Sequence, residues 1–290
     1  MHAIPHPIKS KTPRRAGARA IIAAAVALTL PMVAAPVAAR TNVPGDPHVS
    51  DPVGIVADPC PAHAQPSDSN GWLMWNLHML TRDFGQLCRY HNQNMELRTS
   101  VERVRVVFMG DSITDNWLGG DRTLFTHGLV DRGISGQTTQ QMLLRFREDV
   151  IALRPSAVHI MAGTNDIAGN TGASTMEIVE GNIQSMAELA REHGIKVILA
   201  STPPAVAFPW SPDKRPSPQI RELNAWLRHY AASSGFGYVD YYSVLATSEG
   251  GMKPGLFIDG VHPTPAGYDL MRPLTLKAIF RLIGDSQARE

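Results

Sequence analysis

Four short segments of this 290-residue chain together carry the side chains that acyl transfer requires. Taken alone, each is typical of an ordinary turn or helix cap, because Gly, Asp, Ser and Asn favour those positions. Taken together, they supply a hydroxyl, an imidazole, a carboxylate and N–H donors, which is the set needed for nucleophilic attack on an ester carbonyl. The segments are Gly110–Thr114, Gly133–Thr139, Gly163–Asp166 and Asp259–Pro263.

Each of three residues has a distinct predicted role in that chemistry. Ser112 is the candidate nucleophile, exposed at a strand-to-helix turn. His262 is the candidate base, since a neutral imidazole accepts a proton near pH 7. Asp259 precedes it by three residues, so both groups share one short loop, and its carboxylate is predicted to hold the other ring N–H.

The negative oxygen that forms during acyl transfer needs two or three hydrogen-bond donors. We expect these from the backbone N–H groups of Ser112 and Gly136 and from the side-chain amide of Asn165. Glycine at 136 lets the backbone approach a substrate closely. Asp111 and Asp166 are predicted to orient the loops that hold Ser112 and Asn165.

The elements that must position these loops alternate between short apolar strands and amphipathic helices. Five strands alternating with helices predict a parallel sheet covered on both faces, with functional groups at the carboxyl ends of the strands. A first helix is expected over 72–97, with Trp72, Trp75 and Leu80 among its core contacts. The predicted strands are 104–109, 129–134, 157–162, 196–201 and 236–240, and the remaining helices are 140–152, 175–193, 218–233 and 265–283.

In this order, the four segments resemble the SGNH hydrolases, also called the GDSL esterase/lipase family. The residues that give the family its name match Ser112, Gly136, Asn165 and His262, and the family's Asp matches Asp259. The resemblance spans about residues 72–283. It implies a flavodoxin-like three-layer α/β/α sandwich with a five-stranded parallel sheet and a serine esterase that needs no cofactor. Within the family, the segments at 132–139 and 259–263 resemble platelet-activating-factor acetylhydrolase-like and lysophospholipase-like bacterial esterases.

Two other kinds of site are less well supported by the residues. Ser135 stands in Gly-x-Ser-Gly, but Gln137 occupies the place where a Gly-x-Ser-x-Gly elbow needs its last glycine. The eleven histidines are scattered along the chain, and we expect no metal.

The substrate is predicted less sharply than the reaction. Residues that follow the motifs, and a tryptophan in the loop after the fourth strand, are candidates for lining a pocket: Thr114, Trp117, Thr138, Ile167 and Trp210. Because no long apolar lid is visible, we expect short acyl groups, such as the acetyl esters of carbohydrates. A lysophospholipase or lipase acting on longer chains remains an alternative, as does a non-catalytic envelope module that binds acylated glycans.

The first 39 residues predict a cleaved signal peptide, with five basic residues, a short apolar stretch and small residues before Ala39. A Pro-rich arm over 40–71 and a hydrolase domain over 72–290 would follow. Loss of the five basic residues turns the formal net charge of +1 into about −4, so nothing indicates nucleic-acid binding. The protein is expected in the periplasm or outside the cell with no stable membrane span. There, Cys60 and Cys88 form either a disulfide or two unpaired thiols.

Overall fold

The computed structural model describes residues 52, 54–60, 73 and 77–284. The predicted signal peptide, most of the predicted arm, Trp72 and Trp75 lie outside these residues. Among the helices that are described, none is both long enough and apolar enough to cross a bilayer.

The core of the domain is a five-stranded sheet in which every neighbouring pair is parallel. The strands are β1 (Val106–Gly110), β2 (Leu129–Gly133), β3 (Ala157–Met161), β4 (Lys196–Ala200) and β5 (Gly237–Val239). Their order in the sheet is β2-β1-β3-β4-β5, which confirms the predicted flavodoxin-like sheet. Strand β1 lies between β2 and β3, and all five residues of its sequence, VVFMG, are buried because helices cover both faces of the sheet.

Helices connect the strands and form the two outer layers. Those that carry the chain from β2 towards β5 lie on one face, as right-handed crossovers require. On the other face, the C-terminal helix contacts the short helix that begins at Trp117. The helices are α1 (His91–Thr99), α2 (Ser112–Asp115), α3 (Trp117–Gly120), α4 (Thr139–Asp149), a 3₁₀ turn (Ile151–Leu153), α5 (Thr164–Ala168), α6 (Met176–Glu192), α7 (Ser217–Ser234), α8 (Tyr241–Leu245) and α9 (Pro265–Ile283).

The strand order reverses between β1 and β3, so the loops after these strands diverge and leave a crevice. Gly110 ends β1 where α2 folds tightly over the strand. A Cβ atom there would lie 2.0 Å from Thr114 Oγ1, so only glycine fits. The predicted motif loops after β1, β2 and β3 therefore open at one edge of the sheet.

The single helix predicted over 72–97 is wrong. Residues 77–81 are helical, turns follow, and α1 begins only at His91. The Asp83 carboxylate accepts the backbone N–H groups of Leu87 (2.9 Å) and Cys88 (3.0 Å), an arrangement that competes with helical hydrogen bonds. The side chain of Leu80 is 54% exposed, so the predicted core contact is also wrong.

Cys60 and Cys88 form a disulfide, with their Cα atoms 5.1 Å apart. The bond ties the described segment 54–60 of the predicted arm to the turn that precedes α1. Near this turn, the segment at 77–81 reaches the edge of the sheet where the motif loops open.

Candidate active site

Ser112 is the first residue of α2, two residues after the end of β1. The preceding residue, Asp111, caps the helix by accepting the N–H of Ile113 at 2.9 Å. Ser112 is only 8% exposed, and its Oγ lies 2.8 Å from Nε2 of His262. This is the separation at which an imidazole can take the hydroxyl proton.

His262 and Asp259 lie on the loop that leads into α9. Nδ1 of His262 is 2.7 Å from Asp259 Oδ2. The other carboxylate oxygen, Oδ1, accepts the backbone N–H groups of Val261 (3.0 Å) and His262 (2.9 Å). Partial burial opposes ionisation of Asp259, but the hydrogen bonds from His262 and Val261 outweigh it and lower the carboxyl pKa. An ionised Asp259 therefore keeps the ring proton on Nδ1 and leaves Nε2 free to accept from Ser112.

The three predicted oxyanion donors come from the loops after three adjacent strands. Gly136 follows β2 and has φ of +81°, a left-handed conformation that favours glycine. Asn165 lies on α5 after β3, and its Nδ2 donates to the carbonyl of Gln137 at 3.0 Å. Within the part of the chain that the structure describes, the N–H groups of Ser112 and Gly136 donate to no protein acceptor. The pocket beside Ser112 is thus lined by groups with hydrogens left to donate.

Buried carboxyl groups hold the loops together, as predicted for Asp111 and Asp166. Burial raises the pKa of Asp111 to about 6, although the bond from the Ile113 N–H opposes the rise. Burial also raises the pKa of Asp166, which accepts the Thr139 N–H at 3.0 Å and the Thr139 hydroxyl at 2.6 Å. Asp166 therefore joins α5 to the start of α4.

A buried arginine beneath the site was missed by the sequence analysis. Arg145 on α4 is fully buried, and it donates to the Gly110 carbonyl (3.1 Å) and to Gln137 Oε1 (2.6 Å). Its charge is paired with Asp149 one helical turn later, at 2.8 Å. One side chain thus ties the loop of the nucleophile to the loop of the oxyanion donors. An Arg and an Asp four residues apart among apolar neighbours was the available signal.

An open pocket of about 710 Å³ lies over these groups. Its lining residues include the three positions Ser112, His262 and Asn165, and also Trp210, which was predicted to line a pocket. Apart from these and Gly136, the described lining is Met79, Leu80, Asn116, Ser135, Asn170 and Thr171.

Four predicted pocket residues do not line it, and that prediction is wrong. Thr114 and Trp117 are fully buried because α2 and α3 turn these side chains towards the core, where Trp117 stacks on Tyr268 with ring centroids 5.2 Å apart. Thr138 is buried as the cap of α4. Ile167 is only 9% exposed and belongs to the hydrophobic core.

The pocket wall contains residues that the sequence did not indicate. Met79 and Leu80 come from the segment before α1, where periodicity predicted core contacts. Asn170 follows α5 and donates to Asn165 Oδ1 at 2.8 Å. Ser135 is also present, but its hydroxyl donates to Asp115 at 2.7 Å and lies outside the Ser–His–Asp chain.

Comparison with known proteins agrees with this arrangement. A family model described as GDSL-like lipase/acylhydrolase matches residues 108–270, more than half of the chain. A solved GDSL-like lipase from Bacteroides thetaiotaomicron VPI-5482 is 46% identical, with a TM-score of 0.65, and the match covers 68% of this chain and 98% of that one.

Two curated relatives match over shorter stretches. An acetylxylan esterase from Geobacillus stearothermophilus is 34% identical in an 87-residue alignment, and the match covers 22% of this chain and 40% of that protein. An uncharacterized lipoprotein, YqeF, from Bacillus subtilis (strain 168) is 39% identical over 82 residues, 27% of this chain and 33% of that protein. The chain therefore spans between a third and two fifths of the length of these curated relatives. On the evidence of the family match, the sheet topology and the solved relative, the chain belongs to the GDSL-like lipase/acylhydrolase family of ester hydrolases.

Proposed function

We propose that the protein is a serine esterase that cleaves short acyl esters through an acyl-enzyme intermediate. The observation that carries this proposal is the unbroken hydrogen-bonded chain from Ser112 Oγ through the His262 ring to Asp259, with distances of 2.8 and 2.7 Å, on the wall of an open pocket. A non-catalytic module that only binds acylated glycans would have no use for this alignment.

The reaction follows from the positions of the groups. As Ser112 Oγ attacks the ester carbonyl, its proton passes to His262 Nε2, and the imidazolium is stabilised by Asp259. The carbonyl oxygen becomes negative and is held by the N–H groups of Ser112 and Gly136 and by the amide of Asn165. His262 then gives its proton to the leaving alcohol, and the acyl group stays on Ser112. In the second half, water replaces the alcohol, His262 takes its proton, and the free acid leaves.

Three features support short acyl groups on a carbohydrate. No described segment covers the pocket as a long apolar lid, and a half-exposed Trp210 stands on its wall, offering a flat surface of the kind that sugars contact. One partial relative is named an acetylxylan esterase. The apolar side chains of Met79 and Leu80 favour the alternative, longer acyl chains, so a series of acyl lengths is the deciding measurement.

We also propose that the protein is exported and that its signal peptide ends at Ala39. The disulfide between Cys60 and Cys88 supports an oxidising compartment, and one partial relative is named a lipoprotein. Mass spectrometry of the protein from the extracytoplasmic fraction should find Arg40 at the N-terminus. Recovery of the full-length chain from the cytoplasm would contradict the proposal.

The test of catalysis compares wild type with Ser112→Ala and with Ser233→Ala, an exposed serine on α7. With p-nitrophenyl acetate, we expect Ser112→Ala to lose at least about 10³-fold in kcat and Ser233→Ala to match wild type. A p-nitrophenyl alkylphosphonate should phosphonylate Ser112 with release of p-nitrophenol, so the mass of wild type and of Ser233→Ala should rise by the phosphonyl group and that of Ser112→Ala should not change. Equal hydrolysis by wild type and Ser112→Ala would refute the mechanism.

For the substrate, kcat/KM is compared across p-nitrophenyl esters from acetyl to decanoyl and across acetylated xylan, pectin and peptidoglycan. We expect a maximum at acetyl and release of acetate from at least one of the polysaccharides. A maximum at decanoyl, with no acetate released, would instead support the lipase alternative.

A further inference from the structure

A chain of hydrogen bonds links the wall of the pocket to Asn165. The indole Nε1–H of Trp210 donates to Asn170 Oδ1 at 2.9 Å. The amide nitrogen of Asn170 donates to Asn165 Oδ1 at 2.8 Å and to the Gly136 carbonyl at 3.1 Å. The amide nitrogen of Asn165 donates to the Gln137 carbonyl at 3.0 Å. One side chain outside the four motif segments, Asn170, therefore contacts two of the three oxyanion donors, and Trp210 contacts Asn170.

The donor and the acceptor of each hydrogen bond are fixed because the groups at the ends of the chain can act only as donors or only as acceptors. An indole N–H can only donate, so Asn170 must turn its oxygen towards Trp210. Its NH₂ then faces Asn165 and the Gly136 carbonyl, which can only accept. Asn165 must consequently turn its oxygen to Asn170 and its NH₂ to the Gln137 carbonyl. An isolated side-chain amide can flip at little cost, but here the orientation is set at both ends of the chain.

This orientation is the one that the oxyanion needs. Asn165 uses one of its two amide hydrogens on the Gln137 carbonyl, and the second remains for the pocket that Asn165 lines. If the amide were flipped, its oxygen would face the Gln137 carbonyl, and it would no longer donate there. A flipped Asn165 would thus replace a donor by a repulsive contact.

Packing and a neighbouring hydrogen bond fix the position of Trp210, so its N–H can set the orientation of the Asn170 amide. Its ring stacks on the buried Phe208 with centroids 5.3 Å apart. The next residue, Ser211, donates its hydroxyl to the Ala168 carbonyl at the end of α5. The loop after β4 is thereby fastened to the helix that carries Asn165. The Trp210 ring also lies 6.2 Å from the ring of His262, so one residue borders both halves of the site.

We propose that Asn170 and Trp210 are positioning residues that orient the Asn165 amide as an oxyanion donor. The inference rests on the proposed esterase function. Neither residue touches the reacting atoms. Trp210 sets the direction of Asn170, and Asn170 sets the direction of Asn165.

The first experiment reverses the polarity of the chain. Asn170→Asp keeps the acceptor for Trp210 but presents a second oxygen to Asn165, so Asn165 should flip. Asn170→Ala removes the side chain that contacts Asn165, so it favours neither orientation of the Asn165 amide. At pH 8, where an aspartate is ionised, we expect kcat for p-nitrophenyl acetate to fall about 10²–10³-fold in Asn170→Asp and about tenfold in Asn170→Ala. KM should change less than threefold in both. Equal losses in the two variants would overturn the proposal.

The tryptophan is tested by a change that removes only its donor. Trp210→Phe retains an aromatic ring on the pocket wall and loses the N–H, so we expect kcat to fall about three- to tenfold with little change in KM. Trp226→Phe on α7, where the ring stacks on Tyr230, is the matched control and should keep wild-type kcat. A wild-type kcat in Trp210→Phe would exclude a role of the Trp210 N–H in orienting Asn170.

A double-mutant cycle separates positioning of Asn165 from general damage to the fold. Once Asn165 is replaced by Ala, there is no amide to orient, so adding Asn170→Asp should change kcat less than threefold further. If the loss of kcat in the double variant instead equalled the product of the losses in the two single variants, the proposal would be overturned, because a purely structural role of Asn170 acts whether or not Asn165 is present. The outcome is distinct from failure of the esterase function, which would appear as activity that does not depend on Ser112.

Discussion

The sharpest prediction concerns Asp259, where asparagine should be more harmful than alanine. Oδ1 of Asp259 accepts two backbone N–H groups, those of Val261 and His262, and Oδ2 faces His262 Nδ1. In Asp259→Asn, the amide oxygen must take the position of Oδ1, because backbone N–H groups can only donate. The amide NH₂ then faces Nδ1 and donates to it, which places the ring proton on Nε2, where it blocks acceptance from Ser112.

The magnitude follows from two contributions. Loss of the charge-assisted bond to the imidazolium costs about 1.5–3 kcal/mol, and the new bond that favours the wrong tautomer costs about 0.5–1.5 kcal/mol. Together they lower kcat by about 10²–10³-fold. This is less than the factor of about 10⁴ for the same change in a buried triad, because the Asp259 side chain is 39% exposed and water screens the pair. Alanine incurs only the first contribution, so its loss is about 10–10²-fold.

Steady-state kinetics with p-nitrophenyl acetate at pH 8 should therefore place Asp259→Asn about two- to tenfold below Asp259→Ala in kcat, because the two variants differ only by the second contribution. Thermal unfolding is measured in parallel, since alanine also removes the acceptor for two loop N–H groups and asparagine keeps it. An Asn variant as active as the Ala variant, or more so, would refute the tautomer argument even if both were slower than wild type.

Three further predictions test other parts of the molecule. Gly136→Ala should lose about 10–10²-fold in kcat, because alanine at φ +81° costs about 1–2 kcal/mol and rotation of the backbone to relieve this strain moves the N–H donor. The control Gly235→Ala, at φ +70°, should lower Tm without changing kcat. Equal kcat in the two variants would contradict the role of Gly136. Leu80→Ala should lower kcat/KM for butanoyl esters about fivefold and leave kcat/KM for acetyl esters unchanged. The reason is that the half-exposed Leu80 side chain offers an apolar surface to acyl carbons beyond the second. Equal losses of kcat/KM for both esters would exclude this contact. Burial lowers the pKa of His159 to about 3, so between about pH 6.5 and pH 3 the unfolded chain binds a proton that the folded chain does not. The free energy of unfolding of wild type should therefore fall by about 1.4 kcal/mol for each unit of decreasing pH in this range. Denaturant titrations should show that the difference in free energy of unfolding between wild type and His159→Gln is smaller at pH 5 than at pH 7, and an equal difference at both pH values would contradict the prediction.

Much of the fold follows from local sequence. Short apolar runs such as that of β1 predict strands, because a strand covered on both faces is apolar throughout, and the amphipathic stretches between them predict helices, because each covering helix buries one face. The exception is the stretch 72–97, where helical spacing of leucines persists across a turn. There the Asp83 side chain takes over backbone donors, and a hydrogen bond of that kind leaves no mark in the periodicity.

Ser112, Gly136 and Asn165 were recognisable in the sequence because each stands in a loop that follows a strand, and in a parallel sheet all such loops meet at one edge. Asp259 and His262 follow no strand, and they were recognisable by their types and their spacing of three residues. The types and order of the residues were enough to identify a candidate set: Ser112, Gly136, Asn165, Asp259 and His262. Which side chains form the pocket wall was decided only by tertiary packing. Thr114, two residues after Ser112, turns into the core, whereas Leu80, outside every motif, reaches the pocket.

The supporting contacts depended on tertiary structure for the same reason. Arg145 meets Gly110 across 35 residues, and Trp210 meets Asn170 across 40. Spacing along a chain carries no information about such pairs, because the sheet and its crossovers, not the local backbone, set the distance between them. Types of side chain and their order determine which reaction is available, and the packing of the elements determines which way each amide and ring must face to carry it out.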